Sequence, residues 1–525
     1  MELTRFSQRL TIIVTMVLGL VGAVVLGKMT AQGRTGPILM VGLGAVGVGL
    51  LLALKERIWI LLLVAWPMTG QIRALSIPFG VRDLVVFYVF AAIIAMIAFK
   101  VIKRRVTPNG IDLTLFLLML VLIVNYARNP TGVEALGSDR VGGKPYFNVA
   151  IALVAWWTVS RCQLGSISPW ILCSLLILGR ITDGLFATAL YFLPGLEGFV
   201  SDFYSSPIMM SGMTDSASGP LDEGVGRLVF LGFLGTPLVV AMLALRRPLD
   251  WLNLAQPWKP VAFFLAMLLV FKSGFRSALA GVIGVGFISG YIRGGIRDVY
   301  KMTGLAALAI LLAAAFNGVL FELPKNLQRT LSFLPGNWDM EAVADAREST
   351  QWRVFMWQEA LLTDRYIENK ILGDGFGMKK SDFLTMDFFA KQGTTEGVRE
   401  NMMIAGNFHS GPISTIRYVG CVGLVIYIIL LALVAKEAWF ICRTYLSNRY
   451  GPFAMLVGLP LIFEPVSYVF IFGSFDSALP DLMFNIGLMK VLRSSLKANS
   501  VVGALTTEPE SQRIQPLKHY NANSW

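Results

Sequence analysis

The one imidazole outside the C-terminal tail is His409, in Gly406-Asn407-Phe408-His409-Ser410-Gly411-Pro412, just ahead of an apolar run. An unperturbed imidazole titrates near about 6.5, which suits proton transfer near neutrality. A lone histidine is more often structural; flanking glycines at the mouth of an apolar run favour the proton-transfer reading. Lys272 and Arg276 bracket a tight turn, Ser273-Gly274-Phe275. They read either as two snorkelling cations or as an anion site, since Ser273 and Gly274 let a ligand approach the backbone closely. Arg353 falls in a stretch where Ser349 or Thr350 can cap a helix and where Trp352, Phe355, Met356 and Glu359 recur at helical spacing. So capped, Arg353 sits in the first turn, where the helix dipole disfavours a cation, a hint of an anionic partner. Gly373 and Gly375 alternate in Leu372-Gly373-Asp374-Gly375-Phe376-Gly377, which gives a close-approach turn. It is not a dinucleotide fingerprint, because no βαβ unit surrounds it. No metal site is expected: the other histidine, His519, is in the tail, and no cysteine cluster exists.

The elements that must position these groups are membrane helices. Of 525 residues, 55% are hydrophobic and only 15% charged, and the mean hydropathy is +0.64. One aqueous core cannot hide that much apolar surface, and four cysteines cannot staple a chain of this size. Apolar runs occur at about 10–27, 37–54, 58–70, 83–102, 111–126, 146–160, 169–192, 227–245, 259–272, 276–292, 303–322, 413–435, 452–473 and 478–494, each read against the roughly 20 residues a spanning helix needs. The runs are apolar all round, which excludes alternating barrel strands. The expected fold is an all-α polytopic helical bundle of about fourteen spans. Lys55 with Arg57, Lys100 with Lys103, Arg104 and Arg105, Arg246 with Arg247, Arg293 with Arg297 and Lys301, and Lys436 with Arg443 and Arg449 then share one side with Arg5, Arg9, Arg493 and Lys497. That side is cytoplasmic and holds both termini; the first run reads as a signal anchor.

Outside lie the loops near 69–82, 127–145, 193–226, 273–275 and one large loop at about 323–412, which carries twelve acidic residues against ten basic ones. The net charge of +12 is therefore mostly topogenic, and nucleic-acid binding is not expected. The expected organisation is 1–322 as transmembrane helices 1–11, 323–412 as a large periplasmic loop, 413–497 as C-terminal transmembrane helices, and 498–525 as a disordered cytoplasmic tail. Arg180 and Asp183, three residues apart inside a run, read as a self-neutralising pair or as the lining of a polar cavity. Glu464, ahead of Pro465 in another run, reads equally as a buried structural acid or a cavity-lining one.

Three segments, in order, resemble the O-antigen ligase and O-antigen polymerase superfamily of bacterial polytopic membrane glycosyltransferases. The first is Ser273-Gly274-Phe275-Arg276-Ser277-Ala278-Leu279-Ala280-Gly281. The second is Arg353 with Trp357, Ala360 and Leu361, followed by Ile371-Leu372-Gly373-Asp374-Gly375-Phe376-Gly377. The third is His409 followed by a span with Gly420 and Gly423-Leu424. Gly80-Val81-Arg82-Asp83-Leu84 is also similar to a family pattern in which an Asp opens an early span. The chain departs from the family at Ser410, where Asn is frequent, and at Arg417-Tyr418, where Glu is common.

The resemblance implies a GT-C-like bundle in the bacterial inner membrane that moves a glycan from a polyprenyl diphosphate carrier to an acceptor hydroxyl at the periplasmic face. It implies no cofactor and no metal. Arg276 and Arg353 would meet the diphosphate, with Lys272 a weaker contact, and His409 would take the acceptor proton. Gly373, Gly375, Arg140 and Lys144 would contact substrate. The implied partners are the lipid-linked donor, a glycan, lipid or protein hydroxyl acceptor, membrane lipids and polysaccharide-assembly machinery. Polymerase and ligase share these motifs. The competing readings are a polysaccharide or lipid-carrier transporter using Arg180, Asp183 and Glu464, and a non-catalytic envelope-assembly scaffold.

Overall fold

A computed structural model describes residues 35–72, 79–102, 108–132, 140–206, 208 and 228–506. The expected span at about 10–27, the cations Arg5, Arg9, Lys103, Arg104 and Arg105, most of the 193–226 loop, and the tail beyond 506 with His519 lie outside these residues. The described chain is mostly helical, with almost no strand. In order it forms α1 (Thr35–Leu54), α2 (Leu61–Ala65), α3 (Val81–Ala98), α4 (Gly110–Arg128), β1 (Arg140–Val141), α5 (Lys144–Ser160), α6 (Pro169–Phe192), α7 (Glu197–Phe203), α8 (Val229–Leu245), α9 (Trp258–Lys272) and α10 (Arg276–Phe316). It continues with α11 (Lys325–Leu331), α12 (Met340–Leu362), β2 (Met378–Lys379), α13 (Lys380–Gln392), α14 (Thr395–Ile404), α15 (Gly411–Tyr445), α16 (Gly451–Val466) and α17 (Phe475–Thr506). The strands pair antiparallel, Arg140 opposite Lys379 and Val141 opposite Met378.

Six helices among the described residues are long and apolar enough to cross a membrane: α3, α4, α6, α10, α15, and α16 with its continuation to Ile471. α4 shows why they need lipid. Leu115, Leu118 and Leu122 are buried, yet Leu113, Phe116, Leu120 and Ile123 stand exposed along its other side. A continuous apolar face of that kind fits hydrocarbon, not water. Its start is fixed by a capping box: Asn109 Oδ1 accepts from Asp112 N, and Asp112 Oδ2 from Asn109 N.

Two expectations change. The run at 58–70 is not one spanning helix. Lys55 takes a φ of 50°, and a six-residue 3-10 turn leads into the five-residue α2, too short for about 30 Å of hydrocarbon. These residues fill the core instead, with Ile58, Trp59, Leu62 and Leu63 fully buried. The runs at 276–292 and 303–322, by contrast, are two helices within α10, joined across a break at Gly295, whose φ is 67°. Met302, beyond the break, reaches back to Gly286 and Gly290. Lastly, the helix expected at 478–494 extends to Thr506, so residues 498–506 are helical rather than disordered. Adding residues to an established helix costs little compared with starting one.

α17 lies along α5, and α15 against α16 and α4. Tyr427, Tyr445, Tyr468, Phe453, Phe475 and Phe484 are the large side chains sealed between them. The Lys490–Asp112 ion pair ties α17 to the start of α4.

Candidate active site

α12 starts earlier than its sequence suggests. Asp339 caps it by accepting from Ala342 N at 3.1 Å, while Thr350 bonds back to the Ala346 carbonyl at 2.9 Å from inside the helix. Arg353 therefore stands mid-helix, and the first-turn dipole argument for it falls away. The buried face is Met356 and Ala360, with Ala342 and Ala346 nearer the start; Trp352 and Trp357 are half-buried, and Phe355 is largely exposed.

Ser349, Arg353 and Trp357 recur every four residues, so they share one side of α12 over about 12 Å at 1.5 Å per residue. At one end Arg276, the first residue of α10, donates from Nη2 to Ser349 Oγ at 3.5 Å. At the other end the Trp357 indole donates to the Phe408 carbonyl at 2.9 Å, one peptide from His409. The half-buried Arg353 lies between. The three residues singled out from sequence are thus brought onto or beside a single helix face, although 133 positions separate Arg276 from His409.

A small core holds this arrangement. Met356, Ala360, Ile367, Met403, Phe408 and Ile413 pack together, fastening α12 and α14 over the start of α15. The Arg399–Glu348 ion pair and the Arg399 guanidinium, 4.9 Å from the centre of the Trp352 ring, add a second tie. Arg365 and the Tyr366 hydroxyl both meet Glu400. Burial first, then Glu400, raises the Tyr366 phenol above its ordinary value. His409 itself takes a φ of 49°, the left-handed region that costs a non-glycine residue about 1–2 kcal/mol. Such backbone persists where its surroundings over-determine it, here through the fully buried Phe408 ring on one side and the Phe472 ring, 5.5 Å from the imidazole.

The glycine segment is inserted into a helix. α15 breaks at Gly420, φ 68°, and residues 370–375 take up the freed backbone groups. Asp374 N and Gly375 N donate to the Arg417 and Tyr418 carbonyls, and Cys421 N and Val422 N donate to the Lys370 and Ile371 carbonyls. Gly373 and Gly375 have φ of 81° and 76°. A Cβ on Gly373 would stand 2.5 Å from Gly420 N, and one on Gly375 2.6 Å from the Tyr146 hydroxyl. The close approach that these glycines permit is thus to the protein's own backbone and to Tyr146. Asp374, almost fully buried, accepts from Glu368 N, Asn369 N and the Arg417 guanidinium. Arg417 is accordingly one half of a buried ion pair.

Lys272 ends α9 and is exposed beside the Arg276 turn. Arg140 is in the β1–β2 ribbon. Lys144 opens α5 and lines a cavity of about 490 Å³ formed by residues 69–71, 80–83, 144–148, 205–206 and 476–481. Arg82 and Asp83, both buried, form an ion pair in its wall, and Arg82 also donates to Asn148 Oδ1 at 2.8 Å. Trp66 Nε1 donates to Asp481 Oδ1 at 2.8 Å. Sequence reasoning singled out Lys144 and Asp83 here, but not Arg82, Asn148, Asp476 or Asp481. Their signal was present as charges at the mouths of apolar runs, but nothing in the sequence shows that distant mouths adjoin.

Arg180 and Asp183 do not neutralise each other. Asp183 accepts from the Tyr204 hydroxyl, and Arg180 reaches the Leu456 carbonyl at 3.5 Å. Burial, reinforced by Asp183, raises the Tyr204 phenol. Glu464 precedes a π-helical turn, Ser467–Ile471, that follows Pro465. Among the described residues, no group of three or more His, Cys, Asp or Glu is placed to hold a metal ion. No protein-family model matches the chain, and no curated protein matches it.

Proposed function

We propose that the chain is an inner-membrane glycosyltransferase of the O-antigen polymerase or ligase kind, with its reacting groups at the periplasmic face beneath the large loop. The observation that carries the reading is the α12 stripe: Arg276 bonded to Ser349, Arg353 one turn on, and Trp357 bonded beside His409. In glycosyl transfer from a polyprenyl diphosphate, the acceptor oxygen attacks the anomeric carbon. The bond to the diphosphate oxygen breaks, its electron pair leaves with the diphosphate, and the acceptor proton passes to a base. Two guanidinium groups suit the charge that develops on the leaving diphosphate, and an imidazole suits the proton. Attack opposite the leaving group inverts the anomeric configuration.

The test uses the purified protein, a labelled polyprenyl diphosphate glycan and a chelator in the buffer. Transfer is expected without added metal, and Arg276→Ala and His409→Ala each abolish it while still reaching the membrane. Full activity in either variant refutes the role given to that residue. In a deletion strain, unattached long surface polysaccharide would identify a ligase, and single repeat units a polymerase. Carrier flux through liposomes without transfer would favour a transporter.

A further inference from the structure

The cavity lined by Lys144, Arg82 and Asp83 carries an inference that rests on the transferase reading and adds a substrate subsite to it. We infer that the cavity between the 69–71 and 80–83 segments, the start of α5 and the start of α17 binds the acceptor, as a neutral polyhydroxylated glycan. Its volume of about 490 Å³ falls within the roughly 300–1,000 Å³ of small-molecule sites. The wall offers three carboxylates, Asp83, Asp476 and Asp481, against two cations, Arg82 and Lys144. Arg82 and Asp83 pair with each other, which leaves Asp476 and Asp481 against Lys144. A wall with excess carboxylate repels a diphosphate, whereas carboxylates accept hydrogen bonds from sugar hydroxyls and serine hydroxyls both donate and accept. Asp481 is accessible from the cavity while its other side is fixed by the Trp66 indole.

The cavity is also connected to the His409 segment. From its rim, Asp476 bonds Ser474 Oγ, Ser474 Oγ lies 3.4 Å from Ser414 Oγ, and Ser414 N donates to the Ser410 carbonyl, the residue after His409. The Arg276 and Arg353 face of α12 reaches the same segment by a separate contact, from Trp357 to the Phe408 carbonyl. In a displacement, the attacking hydroxyl and the leaving oxygen flank the anomeric carbon on opposite sides. With diphosphate held by the arginines, the hydroxyl is supplied from the cavity, and His409, where the two contact chains meet, takes its proton.

The experiment titrates the full-length protein in detergent with neutral oligosaccharide cut by mild acid from the host's own lipid-linked pool, followed by tryptophan fluorescence. Transfer is assayed in parallel. Asp481→Asn keeps an acceptor for Trp66, and Ser477→Trp fills the cavity from an exposed position. The expected result is saturable binding that weakens at least about tenfold in both variants, an acceptor KM that rises by the same factor with donor KM unchanged, and no displacement by inorganic pyrophosphate. Transfer with unchanged acceptor KM in both variants overturns the cavity assignment and leaves the transferase reading intact. Binding lost in the variants without transfer by the wild type supports the cavity and removes the transferase reading. Absence of saturable binding to the wild type, or displacement by pyrophosphate, overturns the subsite.

Discussion

Replacing Trp357 by Phe probes how the protein holds His409. The substitution keeps an aromatic ring in a half-buried position but removes the one hydrogen bond that the indole gives to the Phe408 carbonyl at 2.9 Å. A buried acceptor left without its partner loses about 1–3 kcal/mol. The left-handed backbone at His409 costs about 1–2 kcal/mol and relaxes unless its neighbours oppose it. If roughly 1.4 kcal/mol of that opposition is lost, the competent arrangement is populated about tenfold less. The expected outcome is a kcat about tenfold lower with KM for donor and acceptor unchanged, measured by transfer from a labelled lipid-linked glycan. The pH dependence keeps its shape, because the imidazole is still present. Wild-type kcat in a folded Trp357→Phe protein would refute the argument. So would a raised KM with kcat intact, which would move Trp357 from positioning His409 to binding substrate.

Other perturbations test separate parts of the site. Arg353→Lys keeps the charge but loses the planar fork, and under the diphosphate reading lowers kcat/KM by at least about tenfold; unchanged turnover assigns Arg353 to the surface of α12. Arg417→Met strands the Asp374 carboxylate, whose side chain is only 3% exposed, and should cost about 3–5 kcal/mol in unfolding stability. Thermal unfolding in detergent reads this, and an unshifted midpoint refutes the buried-pair account. Tyr204 titrates higher in the folded protein than when unfolded, so the folded state holds its proton more tightly. That contribution is whole below about pH 10 and declines as pH rises above it. The wild type should lose stability above pH 10 more steeply than Tyr204→Phe, and parallel curves refute the linkage.

Much of the scaffold is legible in the sequence because hydrocarbon leaves a chain few choices. Long apolar runs such as Gly110–Arg128 and Pro169–Phe192 must satisfy their own backbone, and they are helices. The turn between Lys272 and Arg276 is equally local, since Gly274 takes a positive φ where its sequence asks for one. At 58–70, by contrast, hydropathy reports only that the residues avoid water. Protein interior satisfies that as well as lipid does, and only packing tells the two apart. The start of α12 is illegible in sequence for a related reason: Thr350 can bond a helix start or the carbonyl one turn back, and Asp339 takes the start.

The amino-acid sequence alone determined the helical, membrane-compatible character of the chain and the chemical types at Arg276, Arg353 and His409, because both follow from composition and local pattern. Only the tertiary structure decided that Ser349 joins Arg276 to the α12 face that also carries Trp357 toward His409, that Gly373 and Gly375 close against Gly420 and Tyr146, and that Asp476 and Asp481 share a cavity with Lys144. Those meetings depend on which helix ends adjoin. Adjacency is fixed by long-range packing between segments whose apolar faces look alike in sequence.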